Sequence, residues 1–468
     1  MEQHPSSPGP SGPTGGTPAA VPMPPDLPGP LSAADMAVKD LGPCLLPSPV
    51  ATHLGETALH FVGTADKVLV SDNLFYLKGF DGSLDDMPAL ELAGPRNKIF
   101  FDPRTVRCGI VTSGGLCPGL NNVVRGIVME LSQAYGVKHI VGFRYGYQGL
   151  ISRYGHEPVT LTPESVAHIH QEGGTFLGSS RGAQDASEVV DNLQAMGIDI
   201  VFVIGGDGST LGAMTLTAEI ARRKERIAVI GIPKTIDNDL HFIDRSFGFE
   251  SAYSAAVEVL RGAHVEARGA HNGIGLVKVM GRHSGVLACH AALASADVDL
   301  VLVPEVPMVF DGKHGIYRHI EKLLDRNGNA LIVVAEGAGQ ELMQEPGNPA
   351  RDKSGNIKLK DIGTFTRDAI NQHFATQGRE ITLKYIDPSY AIRSVPATPA
   401  DAVFCWHLAR NAVHAAMAGN TEMLIGCWHG RFVHVPMPLA TRGGKQVDTS
   451  GDLWMSVIES TGQPRSWS

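Results

Sequence analysis

The feature that most constrains this chain is a repeated unit. A short apolar run without alternation ends in glycine or a polar residue, and a stretch with helical spacing follows. "VRCGIVTSGG" (106–115), "DIVFVIGGDGS" (199–209), "IAVIGIPKT" (227–235), "GIGLVKVMG" (273–281), "DLVLVPE" (299–305) and "ALIVVAEGAG" (330–339) all end in this way. Strands that do not alternate are buried on both faces, and helices between parallel strands supply the cover. The expected fold is therefore α/β with mostly parallel sheets. "VVRGIVMELSQAYG" and "TLTAEIARRK" carry helical spacing, and "ESVAHIHQEGG" reads as another helix. "HIVGFRYG" and "KVLVSD" read as further short strands. In such folds ligands bind beyond the carboxyl ends of the strands, so the residues just after each apolar run are the site candidates.

Bulk properties narrow the function. The chain has 468 residues, room for two or three domains. Its net charge of −9 argues against general binding to nucleic acid or an anionic membrane. Six cysteines are scattered with no C-x-x-C pair, which fits reduced thiols rather than disulfides or a metal site. No apolar run reaches the roughly 18–20 residues that span a bilayer. The N-terminus shows no basic segment followed by an apolar stretch, so no secretory signal is expected and cytoplasm is the expected compartment. Residues 1–30 hold ten prolines and read as a disordered tail. Residues 31–100 read as a mixed N-terminal extension.

The strand ends carry phosphate chemistry. In "TSGGLCPGLNN" (112–122), Gly114 and Gly115 let backbone approach a ligand, and a helix N-terminus follows; a plain glycine turn is the competing reading. In "VFVIGGDGST" (201–210), Asp207 can hold Mg²⁺ and Ser209 adds a hydroxyl, against a simple helix cap. "IPKTIDNDL" (232–240) gathers Lys234, Thr235, Asp237 and Asp239. One carboxylate there could accept a proton while Asp207 binds metal, which is the division that phosphoryl transfer needs. An Asx-turn would explain Asn238 and one Asp but not the preceding Lys234 and Thr235. Arg282 in "KVMGRHSG", Glu336 in "VVAEGAG", Arg181 in "GGTFLGSSRG", and Tyr390 with Arg393 in "PSYAIR" are weak alone. Their order and shared strand-end location give them weight.

Taken together, "GGLCPGLN", "GGTFLGSSR", "GGDGS", "PKTIDND", "MGRHSG", "AEGAG" and "YAIR" resemble the phosphofructokinase family, in that family's order, over about residues 105–425. The GGDG motif alone also occurs in NAD kinases and lipid kinases, but PKTIDND with MGRHSG does not. "GPRNKIFFDP", the N-terminal extension and "IDPSYAIRS" are most similar to the longer ATP-using branch of plants and protists.

The resemblance implies two Rossmann-like three-layer domains with the active site in the cleft between them. The larger, ATP-binding domain would span 101–247 plus about 394–440, and the smaller, sugar-phosphate domain 248–393 plus about 441–468. The implied reaction is transfer of the γ-phosphoryl group of ATP to the 1-hydroxyl of fructose 6-phosphate, giving fructose 1,6-bisphosphate and ADP. Asp237 would be the proton acceptor, with Thr235 and Arg282 beside it as catalytic residues and Asp239 orienting. Asp207 would hold Mg²⁺. Gly115, Arg181, Gly182, Gly206, Asp207, Gly208 and Ser209 would bind ATP. Thr235, Ile236, Asp237, Met280, Gly281, Arg282, Glu336, Tyr390, Ala391, Ile392 and Arg393 would bind the sugar phosphate. A homodimer or homotetramer is implied, with no nucleic-acid or membrane partner.

Donor choice is the contest within the family. Diphosphate users resemble this chain at Lys234 but carry Asp where it has Gly208, and a carboxylate there would repel the α-phosphate of a nucleotide. Gly208 with Lys234 is the combination of the long ATP-using branch. The chain departs from the short bacterial enzymes at Leu116, Tyr390 and Gly273, where they have an acid, a His and an Arg. The last departure argues against their cross-subunit coupling and effector site in this chain. Other readings are a diphosphate-dependent enzyme, a different GGDG kinase, and a non-catalytic sugar-phosphate sensor or regulatory subunit.

Overall fold

The computed structural model describes residues 31–54, 61–79, 83, 86–344, 347, 350–351 and 357–468. The proline-rich tail expected at 1–30 lies outside the described residues.

Thirteen strands build the two large sheets. In chain order the first seven are β1 (Lys67–Leu69), β2 (Ala89–Leu92), β3 (Arg107–Thr112), β4 (His139–Phe143), β5 (Val159–Thr160), β6 (Ile200–Gly205) and β7 (Ala228–Pro233). They are followed by β8 (Gly273–Val279), β9 (Leu300–Leu302), β10 (Asn329–Ala335), β11 (Thr382–Ile386), β12 (Met423–Trp428) and β13 (Arg431–Pro436). The nine-stranded sheet has the order β1-β2-β13-β12-β7-β6-β3-β4-β5, and the four-stranded sheet the order β9-β10-β8-β11.

Sheet register follows from the sequence pattern. β12, β7, β6, β3 and β4 are parallel neighbours, and the small sheet is parallel throughout. Every residue of β6 and β7 is buried, as their unbroken apolar runs require. Each fully buried Val or Ile removes roughly 1.5–3 kcal/mol of apolar hydration. The edges run antiparallel through β13, β2 and β1, so the segment 31–100 contributes two strands to the larger sheet.

Helices cover the sheets: α1 (Leu120–Met129), α2 (Ala186–Ala195), α3 (Asp207–Arg223), α4 (Phe249–Arg268), α5 (Val286–Ser295), α6 (Ile316–Asn327), α7 (Ile362–Thr376), α8 (Ser389–Ile392), α9 (Pro399–Met417) and α10 (Asp452–Thr461). Parallel strands place all their carboxyl ends on one side. In the larger sheet β3, β6 and β7 lie side by side, so 113–115, 206–209 and 234–239 become neighbours. In the smaller sheet β8, β10 and β11 do the same for 280–282, 336 and 387–393.

One expected helix is absent. "ESVAHIHQEGG" folds as turns with a single short 3₁₀ segment, Ile169–Gln171. Thr162 and Ser165 spend their side chains on each other's backbone: Thr162 N–H donates to Ser165 Oγ at 2.9 Å, and Ser165 N–H to Thr162 Oγ1 at 3.2 Å. Such a reciprocal pair can open a helix, but further on the Asn121 side chain takes up Glu172 O at 3.2 Å and Phe176 N–H at 2.7 Å, holding the chain in another course. All six cysteines are free thiols, four of them buried. Among the described residues no helix is long and apolar enough to cross a membrane.

Candidate active site

A cleft of about 580 Å³ opens at the end of β3. Gly114, Gly115, Leu116, Ser179, Ser180, Arg181 and Arg393 are among the residues that line it. Gly114 has φ +89°, a conformation that glycine takes without strain. A Cβ added there would stand 3.5 Å from Lys234 Nζ and 3.7 Å from Ser209 Oγ, so the glycine lies against that cluster. At Gly115 the same position is 3.3 Å from Arg181 Nη2 and 3.5 Å from Arg393 Nη1. Two guanidinium groups thus converge on one glycine. Arg181 and Arg393, assigned from sequence to different ligands, meet at the same point. Burial, then the Arg181 charge, lowers the pKa of Arg393. Arg393 Nε is buried without a partner, and its guanidinium lies 4.7 Å over the Tyr390 ring. The charge pattern calls for an anion.

β6 delivers Gly206, Asp207, Gly208 and Ser209 into the first turn of α3. Gly206 is the N-cap, with its added Cβ only 3.1 Å from the Lys234 carbonyl. Gly208 differs. An added Cβ there would meet nothing within 4 Å, and its φ is not positive. Neither packing nor backbone conformation demands a glycine at 208, so what it provides is space in front of the helix. Ser209 is buried, and its carbonyl accepts a bond from Tyr147 OH at 2.8 Å. Gly182, at φ +106°, turns the chain after Arg181.

β7 delivers the polar run. Lys234 is buried, and burial lowers its pKa; its backbone N–H donates to Gly205 O at 3.0 Å, tying the two strand ends together. Thr235 Oγ1 donates to Asp239 Oδ1 at 2.9 Å and accepts from Asp237 N–H at 3.1 Å, so one hydroxyl fixes both acids. Asn238 sits at φ +51° and braces the turn through Ser246 N–H and Asp244 O. Ile236 is buried.

Asp237 is the unusual group. Its Oδ1 is buried with no hydrogen-bond partner. Burial, then the charges of Asp239 and Glu336, push its pKa well above the ordinary carboxylate range, while a backbone bond and the charge of Arg282 act against them. Asp207 opens onto solvent, yet the protein crowded around it and the Asp239 charge raise its pKa to about 7, with Lys234 opposing. Among the described residues no three Asp, Glu, His or Cys side chains form a ready metal cluster. The mutual repulsion of Asp207 and Asp239 is instead what a divalent cation between acids and phosphates would relieve.

The smaller sheet supplies the opposite wall. Met280, Gly281 and Arg282 follow β8, and Glu336 follows β10. Gly337 N–H donates to Gly281 O at 3.0 Å, and an added Cβ at Gly337 would lie 2.0 Å from the Arg282 carbonyl, so only glycine permits this approach. The Arg282 side chain donates to Ile357 O. Burial raises Glu336, offset mainly by the Arg282 and Lys278 charges. Of α8, Tyr390 and Ala391 are exposed and Ile392 is buried. Gly273 starts β8, at the far end of the strand from Met280, and an added Cβ there would meet the Ala267 carbonyl at 2.0 Å.

Four contributors were not assigned roles from sequence. Thr175, Ser179 and Ser180 line the cleft from a loop with no strand-end signature. Lys278 lies inside β8, and the signal available was a lone lysine in an apolar strand.

Comparison with known proteins agrees with these motifs. The family described as "Phosphofructokinase" matches residues 107–416. The chain is 52% identical over 437 residues to the ATP-dependent 6-phosphofructokinase of Amycolatopsis methanolica, covering 92% of this chain and 95% of that protein. It is 47% identical over 375 residues to ATP-dependent 6-phosphofructokinase 1 of Arabidopsis thaliana, covering 80% and 78%. The crystal structure of a pyrophosphate-dependent phosphofructokinase from Marinobacter aquaeolei superimposes with a TM-score of 0.62 at 18% identity, covering 77% and 93%, a likeness of fold.

Proposed function

The chain belongs to the phosphofructokinase family, and from that premise we infer that it is an ATP-dependent 6-phosphofructokinase: it transfers the γ-phosphoryl group of ATP to the 1-hydroxyl of fructose 6-phosphate. The observation that carries the reading is Asp237, whose Oδ1 is buried and bare after the end of β7. A general base needs an oxygen free to accept the substrate proton and a pKa near the working pH. Thr235 holds Asp237 through its backbone and Asp239 through its side chain, so the bare oxygen is aimed.

Phosphoryl transfer is mostly positioning and charge stabilisation. Arg181 and Arg393 converge on Gly115, whose backbone N–H would meet the transferred group. Gly182, Gly206, Gly208 and Ser209 would line the nucleotide. Met280 to Arg282, Glu336 and Tyr390 to Arg393 would hold the sugar phosphate, with Thr235 and Ile236 beside them. Asp207, aided by Asp239, would bind Mg²⁺, which neutralises charge on the donor phosphates; Mg²⁺ sites use one or two carboxylates plus substrate oxygens. The same division gives the domain reading: 101–247 with about 394–440 binds ATP, and 248–393 with about 441–468 binds the sugar. The working form would be a homodimer or homotetramer in the cytoplasm.

ATP is favoured as donor by Gly208, whose missing side chain serves no packing need. The curated relatives named as ATP-dependent support the same choice. The test compares donors on purified protein with fructose 6-phosphate and Mg²⁺. Fructose 1,6-bisphosphate is expected to form with ATP, with release of ADP, and not with diphosphate. Turnover with diphosphate alone overturns the donor assignment, and no turnover with either overturns the enzyme.

A further inference from the structure

Lys278 is out of place in its strand. Every other residue of β8 is buried and apolar or glycine, and β8 lies inside its sheet between β10 and β11. Lysine is among the residues least often buried unless it is paired. Only 13% of its side chain is exposed. Its Nζ is 2.8 Å from Asp387 Oδ2 and 3.3 Å from Asp361 Oδ1.

Each carboxylate anchors a different piece of chain. Asp361 is the N-cap of α7: it accepts from Gly363 N–H at 3.1 Å, Thr364 Oγ1 at 2.8 Å and Tyr385 OH at 3.2 Å. Asp387 follows β11 and opens the turn into α8, accepting from Ser389 N–H at 3.1 Å and Ser389 Oγ at 2.5 Å. That turn carries Tyr390 and Arg393. Lys278 itself stands two residues before Met280. One ammonium group therefore joins the strand leading to Met280–Arg282, the start of α7, and the turn bearing Arg393. Without it, Asp361 and Asp387 would face each other near Glu336, which the charges of Arg282 and Arg393 also oppose.

We propose that Lys278 is a positioning residue for the sugar-phosphate site, holding the 387–393 turn in register with the 280–282 loop through Asp387. The proposal rests on the reading of this cleft as a fructose 6-phosphate site. Lys278 makes no contribution to the proton transfer, so its loss weakens sugar binding more than turnover.

The experiment measures fructose 6-phosphate binding by calorimetry and steady-state kinetics for the wild type, Lys278→Met, Lys278→Arg and Asp387→Asn. For Lys278→Met, KM for the sugar rises about tenfold, while kcat and KM for ATP stay within about threefold. Lys278→Arg recovers most of the sugar affinity. Asp387→Asn, at a partly exposed position that the fold tolerates, raises the sugar KM by about threefold, and adding Lys278→Met to it costs less than the two effects multiplied. Unchanged sugar affinity in a folded Lys278→Met protein overturns the proposal, as does an equal rise in KM for ATP. If Lys278→Met does not fold, Asp387→Asn decides: wild-type sugar affinity there overturns it too. A wild type that binds no fructose 6-phosphate overturns the functional reading instead.

Discussion

Two charged clusters stand at the strand ends of the two sheets, and their protons are governed in opposite ways. Around β7, Asp207 and Asp237 lie close to Asp239, and both have raised pKa values. Burial removes their hydration, and like charges add to the cost. Around β8, burial acts on Asp361 and Asp387 as well, but bonds from Thr364, Ser389 and Lys278 outweigh it and hold both below the usual range. Lys278 gains in turn: burial alone would lower its pKa, yet Asp387, Tyr385 and Asp361 raise it. The first cluster holds unrelieved electrostatic conflict, which an arriving cation and substrate can relieve. The second is internally neutralised and gains nothing from a ligand. Chemistry belongs to the first and support to the second.

The sharpest way to break this contrast is Asp237→Asn. A neutral amide cannot take the proton, so kcat should fall about a thousandfold or more, while calorimetry still detects sugar binding. The same change should make the fold more stable near neutral pH. Asp237 has a folded pKa raised above its unfolded one, so its ionised form costs stability as pH rises between those two values. Removing it returns that cost. A lower thermal midpoint for Asp237→Asn would place this residue with the supporting cluster.

Gly208→Asp comes next. Open space receives the new carboxylate, so folding should be unaffected. Two like charges about 4 Å apart near a surface repel by up to about 4 kcal/mol, and kcat/KM for ATP should fall about a hundredfold or more. Undiminished ATP turnover would remove the nucleotide from this side of the cleft.

The β8 cluster should give the smaller response, about tenfold in sugar KM for Lys278→Met with kcat nearly intact. A thousandfold loss of kcat there would erase the distinction between the clusters.

Smallest is a shift in pH dependence. Activity should be lost as pH falls through the raised pKa of Asp237, on an acid limb above the ordinary carboxylate value of about 3.9. Asp239→Asn removes the like charge that raises Asp237, so the limb should move to lower pH. A shift to higher pH would show that Asp239 supports the ionised base rather than opposing it.

Much of this was legible in the sequence because it depended on local pattern. Unbroken apolar runs can only be strands covered on both faces, so "DIVFVIGGDGS" and "IAVIGIPKT" announced β6 and β7 and put Asp207 and Asp237 at their ends. "ESVAHIHQEGG" misled because hydrophobic spacing says nothing about Asn121, whose side chain takes up the backbone of Glu172 and Phe176. The role of β13 in drawing β1 and β2 onto the larger sheet was hidden for a related reason, since strand pairing over that sequence distance leaves no local mark.

The sequence by itself determined the α/β class, the motifs and the side on which they gather, because burial on both faces and parallel direction are properties of each strand and its neighbours. Only the tertiary structure decided which charges meet. Arg181 and Arg393 come together at Gly115 although 211 positions separate them. Lys278 finds its two carboxylates beyond the next helices. Asp237 keeps one oxygen bare beside two other acids. Electrostatic energy depends on distance and burial in space, and neither is written in the order of residues.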